Sequence, residues 1–232
     1  MFGSNYADGD VINYRSASEV NQAMGRVYGY MGLATLVSML VSLFVGTSPE
    51  LVQFFFTGAM HWVVILAPLV AVFGITIALS SNPTKETAIL LLAGFAAIMG
   101  LSFAVIFAVY TMASIFSAFM GAAVLFGTMS FYGYFTKKDL DSLGKFMFVG
   151  LIAIVIASLI NIFVGSTVMQ MVISALAIII FMGLTAYDTQ QIREMVSTDS
   201  TPAAEVTGAL TLYLDFINIF LSLLQLFGGK KD

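Results

Sequence analysis

The chain has no cysteine, one histidine, one tryptophan and four prolines in 232 residues, and only 9% of its residues are charged. Without cysteine there is no disulfide framework and no thiol chemistry. So little charge excludes a water-soluble globule, whose surface needs about 25% charged residues. A formal net charge of −4 with no basic block argues against a nucleic-acid partner. Residues 1–20 carry Asp8, Asp10, Arg15 and Glu19 and no apolar run, so no cleavable signal peptide is expected in them.

What the chain has instead is 59% hydrophobic residues and a mean hydropathy of +0.98. At about 20 residues per crossing, seven spans with short loops nearly exhaust the length and leave no room for a separate soluble domain. The expected fold is an all-α integral membrane protein, a seven-helix transmembrane domain over 21–232 behind a disordered cytoplasmic tail over 1–20. The spans are expected at about 24–46, 61–80, 88–110, 115–135, 146–164, 168–187 and 208–227. Residues 51–56, aromatic and short, are expected to lie along the surface. Gly25 and Gly29 have the spacing that permits close helix approach. Asn161, alone in an aliphatic run, predicts a hydrogen bond between helices. The polar stretch 189–207 is expected to link the last two spans.

Lys and Arg fix the expected orientation. Arg15, Arg26, Lys85, Lys137, Lys138, Lys145 and Arg193 fall on one side, and Lys230 and Lys231 on the other. The amino end is therefore expected in the cytoplasm, with the two C-terminal lysines against the rule.

Each of the last two apolar runs carries one carboxylate, Asp188 in 181–190 and Asp215 in 210–218. A charged Asp at the centre of a membrane helix costs about 2.5–3.5 kcal/mol, so such a residue marks a functional site with a partner to be found; the apolar count stops at Tyr187, which leaves a solvated Asp188 at the inner interface, without a partner, as the alternative. Each acid is the other's candidate partner. If the helices face each other, two close carboxylates in low dielectric share one proton and titrate as a unit. Thr211 and Asn218 lie one helical turn from Asp215 and extend a polar stripe; Tyr187 flanks Asp188. Carboxylate oxygens suit calcium, and two of them suffice for weak, transient binding on a transit path, with Asp188 and Asp215 as both pH sensor and ion ligands. No cofactor is expected beyond that permeant ion. His61, beside Trp62 at an apolar boundary, reads as an interfacial anchor.

The segments 183–190, 209–218, Tyr110-Thr111 and Tyr132-Gly133-Tyr134 with 136–140, and Arg26-Val27-Tyr28 resemble the Bax inhibitor-1 (transmembrane BAX inhibitor motif) family, in particular its bacterial inner-membrane branch. The resemblance implies a seven-helix bundle with the last helix central, wrapped by the other six. It also implies a pH-sensitive calcium leak sensed by an acid pair that maps onto Asp188 and Asp215. Family members described as leaks carry an arginine in the second helix that pairs with these acids. Here 61–80 has neither Arg nor Lys, so the closed state is expected to rest on the shared proton alone, or on Arg26 or Arg193 reaching in from the cytoplasmic rim. Family links to a membrane protease and to stress responses imply the alternative of an interaction protein, with 2–20 and 197–207 as its surfaces. Paired aspartates also resemble intramembrane aspartyl proteases. Those enzymes carry Gly-x-Gly-Asp, whereas Leu212-Tyr213-Leu214 precedes Asp215 here, so no enzyme is expected.

Overall fold

The computed structural model describes residues 15–231. They form eight helices, α1 (Ala17–Gly46), α2 (Pro49–Phe56), α3 (Gly58–Ser80), α4 (Lys85–Val109), α5 (Met112–Phe135), α6 (Asp141–Val164), α7 (Thr167–Thr198) and α8 (Pro202–Phe227). All but the short α2 are long and apolar enough to cross a bilayer. The protein is a multi-pass, all-α integral membrane protein.

Local chemistry sets the helix ends. Ser16 and Glu19 form a reciprocal capping box that starts α1, two orphan amide donors satisfied at once. Thr84, Thr111, Ser166 and Thr201 each accept from the amide three residues on, opening α4, α5, α7 and α8. Pro202 stands in the first turn of α8, where its missing N–H costs nothing. Gly165 closes α6 at φ 66°, a left-handed conformation that only glycine adopts freely.

In lipid, burial of apolar surface does not drive helices together, and small residues that let backbones touch do. α1 runs along α4, where a Cβ on Gly100 would stand 2.6 Å from the carbonyl oxygen of Ser38. α5 meets α7 where a Cβ on Gly133 would overlap the carbonyl oxygen of Ala186. Gly25 and Gly29, the glycines singled out by spacing, have nothing within 4 Å of a built Cβ, so close approach is supplied elsewhere. The outward faces are bare hydrocarbon, as at Phe163, Ile162 and Phe146.

α8 is the most buried span and packs against α1, α3, α4, α5 and α7. The backbone of α6 comes close to α7 alone, with no Cα within 8 Å of one in α8. α8 runs unbroken from Pro202 to Phe227. The C-terminal residues after it fold back on the α4–α5 turn: the Thr111 N–H donates to Gly229 O, and the Lys231 N–H to Val109 O. Lys231 Nζ donates to Phe107 O at 2.6 Å, a cation on the carbonyl-rich end of α4. That capping role accounts for a lysine on the side that charge counting disfavoured.

The expected boundaries move furthest at three places. Of the tail expected over 1–20, residues 1–14 lie outside the described residues, but Ala17–Val20 are helical because the capping box starts α1 before the apolar run does. The sixth span does not end at Tyr187. α7 continues to Thr198, since Thr189, Ile192 and Val196 recur on one buried face beneath the polar residues between them. Only Asp199, Ser200 and Thr201 separate α7 from α8. Asn161 does bond across helices, its Nδ2 donating to Gln170 Oε1 of α7 at 3.2 Å.

Candidate functional site

Asp188 lies well inside α7, with the helix running on to Thr198, and Asp215 lies near the middle of α8. Contacts on both sides fix the rotation of α7. Ala186 is pressed against Gly133 of α5, and the Tyr187 ring covers Gly144 of α6, leaving no room for a side chain at either glycine. The adjacent Thr189 is fully buried, and its hydroxyl meets Ser130 Oγ at 3.0 Å. Ser130 in turn meets the Tyr28 hydroxyl at 2.6 Å. With those residues turned to α1, α5 and α6, Asp188 faces α8.

The structure brings Asp188 and Asp215 together, with their carboxyl groups within hydrogen-bonding reach of each other. Ionised carboxylates only accept hydrogen bonds, so a hydrogen bond between these two groups forms only when one of them carries a proton. Asp215 is only 4% exposed, and its buried Oδ2 has no donor from any described residue other than its partner acid. Asp188 is half-buried. Both line a cavity of 1020 Å³ bounded by α3, α4, α6, α7 and α8.

Thr211 and Asn218 line the same cavity, as the helical spacing predicts. Neither bonds to Asp215. Thr211 Oγ1 donates to Thr207 O at 3.1 Å and Asn218 Nδ2 to Leu214 O at 2.8 Å, each turning its donor back on its own helix. Tyr187 lies on the cavity wall through its packing on Gly144.

The two arginines expected to reach the acids are engaged elsewhere. Arg26 forks onto Glu205, Nε to Oε2 at 2.7 Å and Nη2 to Oε1 at 2.6 Å. Arg193 stacks 5.1 Å over the Tyr134 ring and donates to Tyr134 O at 3.1 Å. Each found a nearer acceptor at the rim. α3 contributes no Lys or Arg, and the one cation among the described lining residues is Lys145 of α6, which is exposed. Among the described residues no three His, Cys, Asp or Glu side chains gather closely enough to hold a metal ion. A cation meeting this pair would have two carboxylates and little else, which suits passage better than retention.

Glu205 was not singled out in the sequence, because it sits in the stretch expected to be a linker. It is 5% exposed in the first turn of α8 and takes Arg15 as well as Arg26. The available signal was Thr201-Pro202, a cap followed by a first-turn proline, which starts a helix before Glu205. The Tyr213 hydroxyl lies 2.7 Å from Ser38 Oγ, which itself donates to Ala96 O at 2.7 Å.

A family model described as "Inhibitor of apoptosis-promoting Bax1" matches residues 20–232. The chain is 38% identical over 217 residues to inner membrane protein YbhL of Escherichia coli (strain K12), covering 90% of this chain and 92% of that one. It is 34% identical over 222 residues to an uncharacterized protein of Deinococcus radiodurans, covering 94% of each. An uncharacterized protein of Rickettsia prowazekii, RP147, is 34% identical over 216 residues, with 90% of each chain covered.

Proposed function

We propose that this chain, which belongs to the Bax inhibitor-1 family, is a pH-sensitive, calcium-permeable leak of a bacterial inner membrane, gated by Asp188 and Asp215. The observation that carries the reading is the contact of these two carboxyl groups across α7 and α8 at the 1020 Å³ cavity. With one proton between them they tie the two helices together. Losing it leaves two like charges side by side in a poorly hydrated site, which drives the helices apart and attracts a cation.

Placement in the inner membrane is supported by the relative named for it, and a cytoplasmic amino end by the distribution of Lys and Arg. Transport is preferred over peptide hydrolysis because Leu212 and Tyr213, packed into the core, and Leu214 stand before Asp215 where a substrate backbone would need glycine.

The test is calcium-dye flux into proteoliposomes across pH, for the wild type, Asp188→Asn and Asp215→Asn. The reading expects flux that varies with pH in the wild type and loses that dependence in each variant. Identical pH profiles for all three would remove the gate.

A further inference from the structure

The acid pair shares its cavity wall with apolar side chains of α3 and α6. No Cα of one comes within 8 Å of the other, yet both line the cavity. The side chains they contribute are apolar and open to the outside of the bundle: Leu69 is 58% exposed on α3, and Phe148 58% and Val149 65% exposed on α6. α3 and α6 are both long and apolar enough to cross a bilayer, and exposed apolar faces of such helices meet lipid.

A calcium ion in transit uses the carboxylates and leaves this apolar wall without a role. An apolar wall leading to a buried anion is the complement of a molecule with an ammonium at one end and hydrocarbon at the other. Two carboxyls sharing a proton carry one negative charge, and apart from that shared proton no described residue donates to the buried Asp215 Oδ2. We propose that the cavity binds amphiphilic monoamines, which enter from the bilayer between α3 and α6. The ammonium donates to the Asp188–Asp215 pair and the tail lies along Leu69 and Val149. The other charged or titratable groups on the lining are Lys145 and Tyr187. Lys145 is exposed on α6 and repels a second positive group, which selects monoamines over polyamines.

The proposal uses the acid pair of the leak reading but requires no ion movement, so its test reads binding rather than flux. Purified full-length protein in detergent is unfolded thermally with octylamine or with octanol at equal concentration and neutral pH. A ligand of the folded state raises the midpoint by mass action. A saturable rise with octylamine, absent with octanol, is expected. It should be lost in Asp188→Asn/Asp215→Asn and weakened in Leu69→Trp/Val149→Trp, which narrows the gap and keeps the acids. An equal rise with octanol, or with octylamine on the double Asn variant, would overturn the proposal. Should the double variant not fold, Asp215→Asn alone with the same two probes decides it in the same way.

Discussion

Arg26 and Glu205 form a two-pronged ion pair that joins α1 to the first turn of α8, with the Glu205 side chain 6% and the Arg26 side chain 39% exposed. Arg15 reaches the same carboxylate at 3.4 Å and also donates to Val196 O and Ser200 O. Glu205 of α8 thus holds α1 through Arg26, and Arg15, just before α1, links the same carboxylate to the end of α7.

The unequal burial sets the order of two substitutions. Arg26→Ala leaves Glu205 buried with a single distant partner, and is expected to lower stability by about 1–3 kcal/mol, since a buried charge without its hydrogen bonds keeps its desolvation cost. Solvent screening of the half-open Arg26 argues against the upper extreme. Glu205→Gln leaves no buried charge and releases arginines that can rehydrate, so it costs less. Thermal unfolding in detergent measures both. The reverse order would mean that the pair behaves as a surface contact.

The contact between Gly133 and Ala186 sets α5 against α7 two residues before Asp188. Gly133→Ala inserts a methyl where the Ala186 carbonyl oxygen lies, so it is expected to lose about 1–3 kcal/mol through overpacking. Gly25→Ala, with open space around it, should be nearly silent. Similar unfolding midpoints for the two would show that α5 and α7 yield there at little cost.

Tyr213→Phe deletes the hydroxyl held by Ser38, while Ser38 keeps Ala96 O. The expected loss is about 0.5–1.5 kcal/mol, as for one neutral hydrogen bond. Tyr213 does not line the acid cavity, so the pH dependence of calcium flux should survive. A changed profile would tie this hydroxyl to the gate.

Much of this was legible in the sequence, and the failures share a cause. Long apolar runs announce membrane helices because lipid offers no partner for polar backbone. Two isolated acids in such runs announce a site because their cost demands a reason. Hydropathy does not report where a helix passes polar residues through protein instead of lipid. Thr189 and Glu205 therefore read as linker, although both are buried in the bundle. Arg26 read as a cation free to reach the acids because its real partner lay in that misread stretch. Glycine spacing failed similarly: Gly25 and Gly29 fit the pattern, but only a facing backbone, as at Gly100 and Gly133, makes a glycine necessary.

The lack of native cysteine makes orientation directly measurable. Single cysteines at Lys137, in the α5–α6 turn, and at Lys230 should label from opposite faces of intact cells with a membrane-impermeant maleimide. Lys230→Cys is expected to react from outside and Lys137→Cys only after permeabilisation. The opposite pattern would invert the topology.

α6 leans on a single neighbour, α7. A span so lightly held takes its tilt from membrane thickness, because mismatch costs of a fraction of a kcal/mol per Å meet little resistance from packing. Shortening the acyl chains of the host vesicle should swing it before any other span, and the space beside Asp188 is what such a swing enlarges. Calcium flux that rises as the lipids shorten would make the protein a gauge of bilayer width as well as of acidity. Flux indifferent to chain length would mean that α7 alone holds α6 upright.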